Sequence, residues 1–164
     1  MNYLDTLKDK EKIKVLFVCL GNICRSPAAE AVMLREVKER GVADRWEIDS
    51  AGTGNYHVGD LADPRMREHA SRRGLKLLHR ARQVSVSDFR EFDLIIGMDS
   101  SNLRNLRALS PTVETDRKIV AMSEFFPDAP YDHVPDPYYE GAEGFELVLD
   151  LLQKGCRNLV ERLS

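Results

Sequence analysis

The sequence predicts an α/β fold in which a mainly parallel sheet is covered by helices on both faces. Short apolar, β-branched runs alternate along the chain with stretches of helical periodicity, which is the pattern of β-α-β units. A chain of 164 residues, 43% of them hydrophobic, suits one compact domain with its own core. We expect residues 1–12 to be a polar, solvated lead-in and residues 13–164 to form a single domain.

The first β-α unit begins with the apolar run Ile13–Val18, which indicates a strand covered on both faces. A loop follows, and helical periodicity then extends from Pro27 to Arg40. Gly41 ends this helix, since glycine is common just after a helix. Proline at the first helical position marks its start.

The second unit begins with the strand candidate Trp46–Ser50, which continues into a glycine-rich loop over 51–59. A helix then starts at Asp63, where the carboxylate caps the free amides, with Pro64 as its first helical residue. The helix stops at Gly74.

The second half of the chain predicts two further strands, Phe92–Gly97 and Arg117–Ala121. Between them, Asp99 caps a helix whose leucines recur at helical spacing as far as Ser110. A loop rich in proline and aspartate covers 127–139. The last helix presents one apolar stripe, which includes Cys156.

Composition and charge exclude several classes of protein. The net charge of −3 argues against a general nucleic-acid binder, and the sequence lacks an apolar run long enough to span a membrane. The N-terminus alternates lysine with acidic residues and does not look like a signal peptide. Three cysteines are too few, and odd in number, for a secreted disulfide scaffold, so we expect a cytoplasmic protein.

The loop from Cys19 to Ser26 lies where ligands bind in such folds, at the carboxyl end of a strand and before a helix. Its backbone amides and the helix terminus form an anion cradle, to which Arg25 adds a planar fork for two phosphoryl oxygens. The same positive potential stabilises a Cys19 thiolate, the nucleophilic form of cysteine. The Cys-x5-Arg spacing thus joins a nucleophile to a phosphate clamp.

Three other interpretations of this loop compete. Cys19 could be a structural thiol, which is the usual role of a free cysteine. Cys19 and Cys24 could form half of a zinc site, but a second pair of ligands is missing, since the histidines are scattered. The glycine could belong to a nucleotide-binding loop, but neither glycine-rich nucleotide motif is present.

The loop closely resembles the phosphate-binding loop of the low-molecular-weight protein tyrosine phosphatases, through the run Val18-Cys19-Leu20-Gly21-Asn22-Ile23-Cys24-Arg25-Ser26-Pro27. Later blocks match in the same order: Asp49-Ser50-Ala51-Gly52-Thr53, His79-Arg80-Ala81-Arg82-Gln83, Met98-Asp99 with Asn102-Leu103, and Asp136-Pro137-Tyr138-Tyr139. The resemblance covers the chain from about Ile13 to the last helix. It implies a flavodoxin-like three-layer sandwich with a four-stranded parallel sheet.

By this resemblance the protein is expected to hydrolyse phosphotyrosine through a phosphocysteine intermediate. Cys19 would be the nucleophile, Arg25 would bind the phosphoryl oxygens, and Asp136 would serve first as general acid and then as general base. No metal or cofactor is needed, because Arg25 and the loop amides stabilise the charge. Asp beside Pro is also common in ordinary turns, so the acid role of Asp136 depends on the resemblance.

The resemblance implies roles for further residues. The phosphate-binding loop would comprise Leu20, Gly21, Asn22, Ile23, Cys24 and Ser26, supported by Ser50 and His79, and the substrate cleft would be lined by Tyr56, His57, Tyr138 and Tyr139. Ser26 would favour the thiolate of Cys19. Cys24 would be its redox partner in a reversible disulfide, with an inert packed thiol as the alternative.

The expected partners are phosphotyrosine-containing proteins, with small aryl phosphates as substrates in vitro. Ile23 favours this class, because relatives that act on phosphoarginine tend to carry threonine there. A thioredoxin-coupled arsenate reductase would need further cysteines near residues 80–100, where none occurs. A phosphoprotein-binding module without turnover would be expected to lack the nucleophile, the clamp or the acid. The physiological substrate and the oligomeric state stay open.

Overall fold

The computed structural model describes residues 2–164 and confirms the α/β fold with a parallel sheet between two helical layers. Within these residues the sheet has four strands, in the order β2-β1-β3-β4. The strands are β1 Ile13–Cys19, β2 Trp46–Gly52, β3 Leu94–Gly97 and β4 Ile119–Ala121. Alternate residues of β1 face opposite helical layers, so Val15 and Phe17 enter one core and Leu16 and Val18 the other.

Helices cover both faces of this sheet. They are α1 Arg25–Glu39, α2 Pro64–Ser71, α3 Asp88–Glu91, α4 Ser100–Leu109, α5 Val113–Asp116 and α6 Ala142–Arg162. Short 3₁₀ helices occupy Tyr3–Leu7, Ala43–Arg45 and Met122–Phe125. Asp63 and Asp99 cap α2 and α4, as predicted. No helix of the described residues combines the length and the apolar character that a membrane crossing requires.

The segment before β1 differs from the solvated lead-in that we expected over 1–12. Leu4 and Leu7 are buried in the core beneath the 3₁₀ helix, and the Tyr3 hydroxyl donates to the Asp93 carbonyl at 2.6 Å. Most side chains of this segment are polar, so the composition predicts a solvated segment although Leu4 and Leu7 have the spacing of one helical face. Met1 lies outside the described residues.

Strand order places the loop after β1 at a topological switch point. β1 pairs in parallel with both β2 and β3, so that Cys19 lies beside Gly52 and Val18 beside Gly97. The connections that leave β1 and β3 therefore run to opposite faces of the sheet, which opens a crevice at its carboxyl edge. The fold thus brings the loop 19–26 and the segment after β3 together at one edge.

Candidate active site

The loop 19–26 forms the floor of a cavity of about 320 Å³ at the carboxyl edge of the sheet. Residues of the loop share this cavity with residues distant in the sequence. The lining consists of Cys19, Leu20, Gly21, Ile23, Cys24, Arg25, Tyr56, His57, Asp136, Tyr138 and Tyr139. The three predicted catalytic residues and the four predicted cleft residues all line it.

Cys19 lies at the bottom of the cavity, with 3% of its surface exposed. Its Sγ is 3.0 Å from the hydroxyl oxygen of Ser26. The Asn22 side-chain amide donates to that same oxygen at 2.7 Å, so the Ser26 hydrogen can point at sulfur, 3.0 Å away, or at the more distant Ala51 carbonyl oxygen, 3.4 Å away. A hydroxyl that donates to Sγ stabilises a thiolate over a thiol.

Asn22 holds the loop in an unusual backbone conformation. Its φ is 57°, in the left-handed region, and the residue is 1% exposed. The side-chain oxygen accepts hydrogen bonds from the Arg82 amide at 3.0 Å and from His79 Nε2 at 2.9 Å. The side-chain amide also donates to the Ser50 hydroxyl at 3.1 Å. The predicted supporting residues Ser50 and His79 thus lie in one network with Asn22.

Gly52 permits the close approach of the loop to β2. A Cβ at this position would lie 2.7 Å from the Leu20 carbonyl oxygen, which is too close for any other residue without movement of the backbone. The following amide, of Thr53, donates to the Cys19 carbonyl at 2.9 Å. Gly52 lies in the block from Asp49 to Thr53, where the sequence alone indicates no role for it.

Arg25 is 2% exposed and is oriented by partners from the segments that follow β3 and β4. Its Nη1 donates to Asp99 Oδ2 at 2.7 Å and to the Val134 carbonyl at 3.0 Å. Burial alone would raise the pKa of Asp99, but the hydrogen bonds from Arg25 and Asn102 outweigh this effect and hold that pKa below its usual value. Asp99 therefore both caps α4 and balances the buried guanidinium charge.

Asp136 lies across the cavity from the loop, on the segment between β4 and α6. Its Oδ2 is 3.8 Å from Arg25 Nη2, and its Oδ1 accepts from the Tyr138 amide at 3.1 Å. The side chain is 45% exposed. A carboxyl group in this position can reach the outer part of a phosphate ester bound in the loop.

Aromatic side chains form the rim of the cavity. Tyr138 and Tyr139 pack edge to face with ring centroids 5.0 Å apart, and Tyr56 is largely exposed. The His57 ring covers Gly21, where an added Cβ would come within 3.1 Å of it. The cavity therefore has the buried Cys19 and Arg25 at its floor and mainly aromatic side chains at its rim.

Cys24 is buried beside the cavity and is a free thiol, as are Cys19 and Cys156 among the described residues. Burial raises the pKa of the Cys24 thiol well above its ordinary range, and the charge of Asp63 raises it further. Cys156 is fully buried in the apolar stripe of α6, where the sequence places it. Cys24 is thus a protonated thiol close to the candidate nucleophile.

Glu30 and Asp49 complete the environment of His79, and the sequence alone indicates no role for either residue. The His79 Nδ1 lies 3.2 Å from Glu30 Oε1 and 3.4 Å from Asp49 Oδ1. Burial raises the pKa of Glu30 to about 7 and lowers the pKa of His79. One signal was available for Glu30, because it lies four residues after Ser26 on the same face of α1.

Comparison with known proteins reveals extensive similarity. A family model described as low molecular weight phosphotyrosine protein phosphatase matches residues 14–164. A low molecular weight phosphotyrosine protein phosphatase of Schizosaccharomyces pombe is 48% identical over 136 residues, which cover 82% of this chain and 86% of the relative.

Two solved structures illustrate the similarity of fold. A protein tyrosine phosphatase from Entamoeba histolytica, crystallised with Hepes in the active site, superposes with a TM-score of 0.90 at 44% identity, over 93% of this chain and 97% of that one. The structure of a Drosophila arginine phosphatase superposes with a TM-score of 0.85 at 35% identity, over 91% of this chain and 96% of that one.

Proposed function

The chain belongs to the low molecular weight phosphotyrosine protein phosphatase family, and from that premise we propose that it hydrolyses phosphotyrosine in proteins through a phosphocysteine intermediate. One observation carries the proposal: the Cys19 thiol lies at the bottom of a cavity, 3.0 Å from the Ser26 hydroxyl oxygen, and the buried Arg25 lines the same cavity. An anion-binding floor below aromatic walls fits an aryl phosphate.

Substrate binding would use the loop amides together with Nε and Nη2 of Arg25, of which Nη2 lies 3.8 Å from Asp136 Oδ2. In the described residues the hydrogen bonds of Arg25 involve Nη1 alone, which binds Asp99 and Val134. Nε and Nη2 are left to donate to two phosphoryl oxygens. The guanidinium is already oriented before the substrate arrives, which lowers the entropic cost of binding the transition state.

The first chemical step would transfer the phosphoryl group to Cys19. The Sγ–P bond forms while the bond between phosphorus and the tyrosine oxygen breaks, and Asp136 gives its proton to the departing phenolate. In the second step Asp136 takes a proton from water, whose oxygen attacks phosphorus. The S–P bond then breaks, and the Ser26 hydroxyl stabilises the thiolate that leaves.

Depth of the cavity supports tyrosine as the substrate residue. Because Cys19 is 3% exposed while Tyr139 on the rim is 91% exposed, a phosphate must reach inward past the aromatic side chains. The phenyl ring of phosphotyrosine provides this length, whereas the single methylene of phosphoserine does not. The side chain of phosphoarginine is also long enough to reach the loop, so length does not distinguish it from phosphotyrosine. Ile23 favours phosphotyrosine, because relatives that act on phosphoarginine tend to carry threonine at this position.

The substrate assignment is tested by phosphate release from one peptide sequence that carries phosphotyrosine, phosphoserine or phosphoarginine. We expect the phosphotyrosyl form to have a kcat/KM at least ~100-fold higher than the phosphoseryl form, because a misplaced phosphate loses contact with the loop. Comparable hydrolysis of phosphoserine would refute the role of depth. Faster hydrolysis of phosphoarginine would move the protein to that substrate class.

We also propose that the protein acts in the cytoplasm on phosphotyrosine-containing proteins. The support is chemical: the thiol-dependent site requires Cys19 in reduced form, and Cys19, Cys24 and Cys156 are unpaired in the described part of the chain. The expectation of no metal or cofactor for this reaction stays a prediction, which rests on Arg25 and the loop amides.

Reversible oxidation is proposed as a property of the same site. Peroxide would oxidise the Cys19 thiolate to a sulfenic acid, and the Cys24 thiol would then displace water to form a disulfide. Both side chains line one cavity. We expect an oxidised protein to recover most of its activity with dithiothreitol, and Cys24→Ser to recover several-fold less. Cys156→Ala, in α6, should recover like the unmodified chain, and equal recovery of Cys24→Ser would contradict the proposal.

A further inference from the structure

The segment that carries Asp136, residues 135–140, has few ties to the rest of the fold. These residues form neither helix nor strand. Among the described residues, their one hydrogen bond between backbone groups joins the Glu140 amide to the Pro137 carbonyl at 2.9 Å, and it lies inside the segment. Side-chain contacts must therefore hold Asp136 over the phosphate loop.

Arg65, the second residue of α2, contacts this segment through an aromatic ring. Its guanidinium carbon lies 5.3 Å from the centroid of the Tyr138 ring and 4.9 Å from that of the Phe145 ring. A planar cation is attracted to the face of an aromatic ring, so one arginine can hold both rings. Phe145 is a fixed support, because it is 1% exposed and stacks on the ring of His69.

Asp63 orients Arg65 and joins it to the phosphate loop. Its Oδ1 accepts from Arg65 Nε at 3.1 Å and its Oδ2 from Arg65 Nη2 at 2.8 Å, a two-pronged pairing that fixes the plane of the guanidinium. Hydrogen bonds from the Arg65 side chain lower the pKa of Asp63, which keeps the carboxylate ionised. The backbone amide of Asp63 donates to the Ile23 carbonyl of the loop at 2.8 Å.

The contact with Tyr138 extends to the candidate general acid. The backbone amide of Tyr138 donates to Asp136 Oδ1 at 3.1 Å, so the position of Tyr138 affects where that carboxyl group lies. A continuous series of contacts thus runs from the Ile23 carbonyl through Asp63, Arg65 and Tyr138 to Asp136.

We propose that Arg65 is a positioning residue of the phosphatase reaction, which holds Tyr138 and thereby keeps Asp136 over a phosphate bound in the loop 19–26. This inference rests on the proposed function and deepens it. Arg65 does not line the cavity, so it acts through Tyr138 and not on the substrate. Without its contacts, the segment 135–140 should leave the position from which Asp136 protonates the leaving oxygen, and proton transfer should be affected most.

Arg65→Gln tests this inference in the full chain. The backbone amide of residue 65 still donates to Asp63 Oδ1, at 2.8 Å, so α2 keeps its cap. We expect kcat/KM on a phosphotyrosyl peptide to fall roughly 10-fold, which is part of the contribution of a general acid. On phenyl phosphates whose phenols are strong acids, the loss should be at most ~2-fold, because these phenolates leave without protonation.

Two readouts separate a displaced acid from a damaged protein. The substrates are compared in one protein sample, so a change in the folded fraction cancels. Inhibition by inorganic phosphate reports the loop and Arg25, and its Ki should be unchanged in Arg65→Gln. An equal loss on all phenyl phosphates, or a similar loss of phosphate affinity, would overturn the role of Arg65.

Arg72→Gln is the matched control, since Arg72 follows α2 directly, pairs with the Glu68 carboxylate at 2.6 Å and has a largely exposed side chain. It should keep the activity of the natural chain. Arg65→Lys retains the charge but not the planar face or the two-pronged pairing, and we expect it to lose as much as Arg65→Gln. Full activity of Arg65→Lys would contradict the proposal, because charge alone would then suffice.

A Tyr138→Leu background shows whether Arg65 acts through the tyrosine ring. In this background Arg65→Gln should cause at most a ~2-fold further loss, because the contact is already absent. An undiminished loss of roughly 10-fold would refute the proposed series of contacts. A natural chain that fails to hydrolyse phosphotyrosine would refute the proposed function itself, whereas these outcomes in an active enzyme refute the role of Arg65 alone.

Discussion

Replacement of Cys19 by serine is expected to lower kcat/KM on a phosphotyrosyl peptide by at least ~10³-fold, because the covalent route through sulfur is lost. A serine hydroxyl at this position is not ionised, and among the described residues no carboxylate or imidazole lies within hydrogen-bond distance of Cys19 Sγ to activate it. Ser26 lies closest to Sγ, and its oxygen already accepts from the Asn22 amide. A hydroxyl oxygen is also too weakly basic to take the proton of a serine at position 19.

Binding should survive this substitution. The loop amides, Arg25 and the walls of the cavity are unchanged, and serine is smaller than cysteine. Phosphotyrosyl peptide should therefore saturate the variant and stay bound without turnover, which calorimetry or a pull-down can measure. Cys156→Ala provides a control for loss of a buried thiol elsewhere, and it should keep its activity. If Cys19→Ser hydrolysed the peptide as fast as the natural chain, the phosphocysteine mechanism would be wrong.

The strand–loop–helix unit could be predicted from the sequence because its determinants are local. An apolar run, a Cys-x5-Arg loop and a proline at the start of a helix lie within fifteen residues. The strand and the helix are therefore visible from hydrophobic periodicity, and the loop between them from its residue spacing. α1 begins at Arg25, two residues before the predicted start at Pro27. In the structure Arg25 is the first residue of the helix, whereas the predicted boundary left it in the loop.

Contacts between distant segments could not be predicted in the same way. The Val134 carbonyl holds Arg25 across 109 positions of sequence, and a backbone carbonyl has no residue-specific signature. The sequence contains no local signal that Glu30 and Asp49 lie beside His79, because the three residues meet only in the fold. The family resemblance identified His79 as a residue that supports the loop, but it did not predict which side chains surround the imidazole.

Short elements were missed for a different physical reason. α3 and α5 each have four residues, too few to display a hydrophobic period. α5 is stabilised by a capping box in which Thr112 and Thr115 exchange side-chain hydrogen bonds with each other's backbone amides. A capping box predicts the start of a helix from sequence only when a longer apolar run follows it.

Replacement of Asp136 by asparagine is expected to lower kcat/KM on phosphotyrosyl peptides by roughly 10²–10³-fold, the usual contribution of a general acid. Asparagine keeps the oxygen that accepts from the Tyr138 amide, so the loop conformation should be retained. The proton is lost, and the phenolate of tyrosine, with a pKa of about 10, must then depart unprotonated.

Leaving-group dependence distinguishes an acid from a residue that only positions the substrate. We expect Asp136→Asn to lose much less kcat/KM on aryl phosphates whose phenols are strong acids, because their phenolates leave without protonation. A series of substituted phenyl phosphates should therefore give a steeper dependence on phenol pKa for the variant than for the natural chain. The measurement uses kcat/KM because this ratio reports formation of the phosphocysteine and not its hydrolysis. An equal loss across the series would remove Asp136 from the acid role and leave its carboxylate, 3.8 Å from Arg25 Nη2, with an electrostatic effect on the guanidinium alone.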